Sequence, residues 1–184
     1  MSSSDARIAY SWMKEGDALF EKNDLDSAIE YYTRAFELFP RDPNLLNRCG
    51  LVLEAQGRYE EAIQFYDKGI EHYPRDAMLW GNKGSALNKM GRHLEAIRCF
   101  DTAIDINPQD ADAWCEKGTT FGFLRWHEEA IESFQTAIEI NPNHARAWYN
   151  KGVALMKLKR DYEARDALDR AKELEHGLSS SERE

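Results

Sequence analysis

No stretch of this sequence approaches the roughly 18 consecutive apolar residues of a membrane span, and Met1 to Asp5 hold no basic region followed by an apolar run. These absences point to a soluble, cytoplasmic protein with no membrane partner. Cysteine is scarce. Cys49, Cys99 and Cys115 are odd in number and form no C-x-x-C pair, so neither a disulfide framework nor a structural zinc site fits, and reduced, helix-packed thiols are expected. Positive charge is in short supply as well: 24 Lys and Arg against 33 Asp and Glu leave a net charge of -9, which opposes binding to a phosphate backbone and excludes nucleic acid as an expected partner.

Catalytic signatures are missing too. Gly81-Asn82-Lys83-Gly84-Ser85 is rich in glycine but lacks the G-x-x-x-x-G-K-[ST] spacing of a phosphate loop. His72, His93, His127, His144 and His176 include no pair at the i, i+4 spacing of a helix-borne metal site, and His127-Glu128-Glu129 does not complete H-E-x-x-H. No nucleophile, base and oxyanion donor form a constellation. The expectation is a non-enzyme without metal or cofactor.

What the chain has is a register. Trp12, Leu46, Trp80, Trp114 and Trp148 recur every 34 residues, each followed four residues on by Gly16, Gly50, Gly84, Gly118 and Gly152. Ala28, Ala62, Ala96, Ala130 and Ala164 keep the same spacing, as do Tyr32, Tyr66, Phe100, Phe134 and Leu168. Pro40, Pro74, Pro108 and Pro142 close the first four units. The organisation read from this is an N-terminal extension over 1–8, one repeat domain over 9–178 in units 9–42, 43–76, 77–110, 111–144 and 145–178, and a polar tail over 179–184.

Within each unit the apolar residues fall at helical intervals in two blocks, giving helix A and helix B. A short turn between them, marked by Asn23-Asp24, Gly57 and Gly91, makes the pair antiparallel. Glycine inside helix A costs about 1 kcal/mol against alanine, so close A-to-B packing must offset it, with the small Ala28-type residues as the expected partners and the Tyr32-type ring beside them. Asp42, Asp76 and Asp110 stand where the next helix A needs an N-cap, and His144 in their place should cap less well. In the fifth unit the apolar positions of Ile131 and Ile138 become Arg165 and Lys172, and Ser11 replaces an apolar residue in the first, as terminal caps require.

This pattern resembles the tetratricopeptide repeat, whose signature runs W-x2-L-G-x2-Y, A-x3-F and P over 34 residues. The departures are Leu46 for Trp, lysine at three of the five seventh positions, and His176 for the last proline. The resemblance implies an all-α, right-handed α-solenoid of five antiparallel helix-turn-helix repeats, with the A helices lining a concave groove. It also implies a protein-interaction adaptor or scaffold that binds a peptide or helical segment of another protein.

On that geometry the groove residues are Lys14, Asn47, Arg48, Asn82, Phe123, Arg146, Tyr149 and Asn150, with acids toward the N-terminal end and Arg146 and Lys157 toward the C-terminal end. Trp126, whose counterparts Asp24, Arg58, Arg92 and Arg160 are all polar, is a candidate surface anchor unless it packs locally on Leu124 and His127. The Lys and Asn set by which chaperone-tail adaptors of this family grip a carboxylate is absent from all three windows of repeats, so that co-chaperone reading is disfavoured. A structural self-assembler is the other alternative, although Arg165 and Lys172 argue against end-to-end stacking and leave a monomer or weak homodimer.

Overall fold

The computed structural model describes the backbone of residues 3–181 and the side chains of residues 4–175. Among the described residues there are ten α-helices and no strand: α1 (Ser3–Glu21), α2 (Leu25–Leu38), α3 (Pro43–Ala55), α4 (Tyr59–His72), α5 (Ala77–Lys89), α6 (His93–Ile106), α7 (Ala111–Phe123), α8 (His127–Ile140), α9 (Ala145–Lys157) and α10 (Asp161–Ser181). Odd-numbered helices are the A helices and even-numbered ones the B helices. The chain divides into two compact units, residues 1–92 with α1 to α5 and residues 93–184 with α6 to α10.

In the first unit α1 packs on α2, α2 on α3, α3 on α4 and α4 on α5, while α3 also touches α5. In the second, α6 packs on α7, α7 on α8, α8 on α9 and α9 on α10, and α7 touches α9. Within its unit, each of α1, α3, α7 and α9 therefore meets its own B helix, and α3 and α7 also meet the next A helix.

The N-caps form as expected. Asp42 accepts from the Leu45 N–H at 3.1 Å, Asp76 from Met78 and Leu79 at 3.0 and 3.3 Å, and Asp110 from Ala113 at 3.1 Å. His144 does the same through Nδ1, accepting from the Ala147 N–H at 3.3 Å. That contact is at the long end of the set, in keeping with an imidazole standing in for a carboxylate. The A-to-B turns share one backbone conformation: φ is +60° at Asn23, +75° at Gly57, +76° at Gly91, +63° at Arg125 and +59° at Lys159. Glycine suits this left-handed region, yet two units adopt it with arginine and lysine.

The helix-A glycines are explained differently from the expectation. A Cβ on Gly16 would lie 2.5 Å from the Tyr32 ring and one on Gly118 2.7 Å from the Phe134 ring, and on Gly50 it would overlap the Tyr66 ring. The large residue of helix B, not its alanine, occupies the space that glycine leaves open. Tyr32, Tyr66 and Phe134 are all buried.

Helix α1 begins at Ser3, inside the extension drawn over 1–8, and α10 runs on to Ser181 through the tail drawn from 179. At the C-terminal side the cause is visible in the sequence, since His176 stands where proline ends the other B helices. Residues 182–184 of that tail lie outside the described residues. Cys49, Cys99 and Cys115 are buried in the helix packing. Burial pushes the Cys49 thiol up to about 12 and the Cys115 thiol up to about 11, so both stay protonated and unreactive at neutral pH.

Candidate peptide-binding groove

Three recurring contacts tie α5, α7 and α9 each to the repeat before it. The indole N–H of Trp80 donates to the Pro74 carbonyl at 3.0 Å, that of Trp114 to Pro108 at 3.2 Å, and that of Trp148 to Pro142 at 2.9 Å. A lysine one turn on lies over each indole, with Lys83, Lys117 and Lys151 Nζ at 5.6, 5.2 and 5.4 Å from the ring centres. The same ammonium groups reach the preceding B helix, Lys83 to Asp67 at 2.5 Å, Lys117 to Asp101 at 2.6 Å and Lys151 to Gln135 at 2.6 Å. The lysines that depart from the repeat signature are therefore joints between repeats. Sequence reading passed over this, although the Pro-to-Trp interval of six residues recurs three times in plain view.

The side chains expected to line a groove make the following contacts on the A helices. In the first unit Asn82 Nδ2 donates to Asn47 Oδ1 at 2.6 Å, and Asn47 Nδ2 points to Met78 Sδ at 3.2 Å. Arg48 pairs with Asp17, which also accepts the Tyr32 hydroxyl at 2.6 Å. Buried Glu54 accepts the Tyr66 hydroxyl at 2.7 Å and Lys89 Nζ at 3.0 Å. Lys14 lies over the Tyr10 ring at 5.0 Å. The groove of this unit is a polar ladder whose groups largely satisfy one another.

The second unit differs. Arg146 pairs with Glu116 at 2.6 Å and with Asp112 at 3.4 Å, and His144 Nε2 lies 3.2 Å from the same Asp112 carboxylate. Asn150 Nδ2 donates to Thr119 Oγ1 at 3.2 Å. Opposite charges thus meet between the adjacent A helices α7 and α9. Apolar groups are what this unit leaves uncovered: Phe123, Tyr149 and Met156 are 61%, 53% and 54% exposed. Phe123 is steadied by a stack on His93, with ring centres 5.2 Å apart and planes 17° from parallel. Tyr149 and Met156 are two turns apart on one face of α9. Trp126 stacks on Phe121 at 5.8 Å and remains 44% exposed, so it packs locally and still presents an edge to solvent.

Among the described residues no three His, Cys, Asp or Glu side chains are grouped as a metal ion would require, and no helix is long and apolar enough to cross a membrane.

Comparison with known proteins agrees with this geometry. The family described as tetratricopeptide repeat matches residues 13–77, 77–110, 99–132 and 145–175, and residues 127–159 match as TPR repeat, so the matches together run from 13 to 175. The chain belongs to the tetratricopeptide repeat family. Its fold class is accordingly the α-solenoid of helix-turn-helix repeats, and family membership supports a protein-interaction role in general terms. Repeats of this family are in general interaction modules and not enzymes.

Among solved structures, the crystal structure of MamA is similar to 90% of this chain over 96% of its own length, at 27% identity and a TM-score of 0.79. Pseudomonas aeruginosa PilF is similar over 93% of this chain and 78% of its own, at 17% identity and a TM-score of 0.83. YrrB, described as a TPR protein with an unusual peptide-binding site, covers 89% of this chain and 84% of its own, at 24% identity and a TM-score of 0.68. At their identities PilF and YrrB bear on the fold alone. No curated protein gives a match to the chain.

Proposed function

We propose that this tetratricopeptide repeat protein is a non-enzymatic adaptor that holds an extended or helical segment of a partner protein against the A helices of its second unit. The observation that carries this reading is the set of apolar side chains open on these helices. Phe123, Tyr149 and Met156 lie exposed beside a polar ladder, whereas of the first unit's exposed apolar groups Met78 lies against the Asn47 amide and Tyr10 under the Lys14 ammonium. Exposed aromatics and methionines can take up varied side chains of a ligand, and Asn150 can both donate to and accept from its backbone. Arg146 is already engaged with two carboxylates, so it orients the groove and leaves selection of acidic ligand residues to Lys157. YrrB, of the same fold, is described by its peptide-binding site, which is in keeping with this use of the scaffold.

The test is a photo-crosslinking side chain at Tyr149, compared with one at exposed Asp105 on α6. Crosslinking of a partner from Tyr149 but not from Asp105, lost in the Phe123→Ala variant with an unchanged helical spectrum, is the expected outcome. Equal crosslinking from both positions would remove the groove from consideration.

A further inference from the structure

A second surface, away from the A-helix faces, carries its own repeat-register signal. Arg7, Arg41 and Arg75 are spaced 34 residues apart, and the same register in the second unit holds Gln109 and Asn143. Arg41 and Arg75 lie in the turns that lead from a B helix to the next A helix, and Arg7 lies near the start of α1. All three are exposed, and none has an ion-pair partner among the described residues. On a chain of net charge -9, three free guanidinium groups in one register stand out.

The position two residues earlier changes in step. It is Phe39 and Tyr73 in the first unit but Asn107 and Asn141 in the second. The asparagines have a local job, since their Oδ1 atoms accept from the N–H groups of Gln109 at 3.3 Å and Asn143 at 3.1 Å. The first unit forgoes those bonds and presents rings, with Tyr73 39% exposed. Beside them the turn between α2 and α3 opens on a depression of about 470 Å³ walled by Leu38, Phe39, Pro40, Pro43 and Tyr73, with Arg41 and Asp42 among its walls. The corresponding depression of the second unit has Asn107, Gln109, Asn141, Asn143 and His144 in its wall and no aromatic ring but the imidazole, its apolar part being Ala111, Ile140 and Ala145. Leu46 stands where the other joints have tryptophan, so no indole N–H ties down the Pro40 carbonyl at this turn.

Acids share the edge without cancelling the arginines. Asp42 and Asp76 turn their carboxylates back to the N–H groups of Leu45, Met78 and Leu79, and Glu37 and Glu71 sit on the preceding helices α2 and α4. We propose that this edge of the first unit docks an acidic segment of a partner protein, its carboxylates on Arg41 and Arg75 and one apolar side chain in the depression beside Tyr73. Guanidinium groups match carboxylates in geometry, and the apolar wall selects a peptide over a bare polyanion because it has a side chain to bury.

The probe is a fluorescein-labelled peptide of glutamates flanking a Leu-Phe pair, read by fluorescence anisotropy on the full chain. Arg41→Gln with Arg75→Gln, and separately Tyr73→Asn, install residues that the second unit already carries in these registers, and circular dichroism checks that the helices persist. Each is expected to weaken binding by about tenfold or more, as are added salt and a glutamine version of the peptide. Arg98→Gln, at an exposed arginine of α6, should leave binding unchanged, which separates this edge from any arginine on the surface. No saturable binding to the native chain, equal binding by the Arg41 and Arg75 or Tyr73 variants, or an equal loss in the Arg98 variant would overturn the proposal. So would equally tight binding of a poly-glutamate without the Leu-Phe pair or of oligothymidine, either of which would mark a plain polyanion surface.

Discussion

One methyl group separates the glycine of helix A from the ring it faces. On Gly50 it would overlap the buried Tyr66 ring, whose hydroxyl is fixed on Glu54. Gly50→Ala should therefore destabilise the fold by about 1–3 kcal/mol as an overpacking change, even though alanine is the better helix former. The opposite change belongs at Arg125, held at φ +63°. Because an L side chain there costs about 1–2 kcal/mol and glycine gives part of this back as chain entropy, Arg125→Gly should stabilise by up to about 1 kcal/mol. Urea unfolding of the two variants checks both signs; a Gly50→Ala chain as stable as the native one would mean that the ring can move aside.

At the scale of the element, three of the joints between a B helix and the next A helix share the same lysine, and one of the three has changed its partner. Lys83 and Lys117 meet aspartates, whereas Lys151 meets the neutral Gln135. Burial pulls the Lys151 ammonium below its usual range, with Glu163 opposing that shift and Arg160 adding to it. The folded value lies below the unfolded one, so the unfolded chain holds the proton more firmly and stability rises with pH through that alkaline window. Gln135→Asp should restore the pair, add up to about 1 kcal/mol at neutral pH and flatten that rise. Thermal melts over an alkaline pH series measure both effects, and a variant no more stable than the native chain at neutral pH would show that the amide already serves as well.

Which elements form was legible in advance, because glycine, alanine, proline and aspartate recur at intervals that only helix pairs explain, and Asp42, Asp76 and Asp110 cap where they were placed. The left-handed turns at Arg125 and Lys159 were not legible, since neither residue type signals that conformation. For the side chains expected in the groove, pairing was not legible. Asn47 with Asn82 and Arg48 with Asp17 are 35 and 31 residues apart, and their meeting depends on how neighbouring A helices slide past one another.

For the molecule as a whole, the tyrosines whose hydroxyls donate to carboxylates set a difference between the two units. Tyr32 is pushed up to about 12, first by burial and then by Cys49 and Glu21, and Tyr66 is pushed higher still by burial and by the charge and hydrogen bond of Glu54. Their hydroxyls stay protonated in the fold while the unfolded chain ionises near 10.0, so stability is full below that pH and falls as pH rises above it. Phe134 and Leu168 hold the same register in the second unit and do not ionise. The first unit should thus loosen before the second on alkaline titration, with Tyr66→Phe removing part of the difference. Residue-resolved hydrogen exchange at rising pH follows this, and simultaneous loosening of both units would contradict it.

The indole-to-proline ties have a further use. Since Trp80, Trp114 and Trp148 each grip one joint, their fluorescence forms a set of internal gauges. Single-tryptophan versions of the chain would report by the colour of their emission which joint gives way first, without any added label. The joint at Leu46 would stay dark.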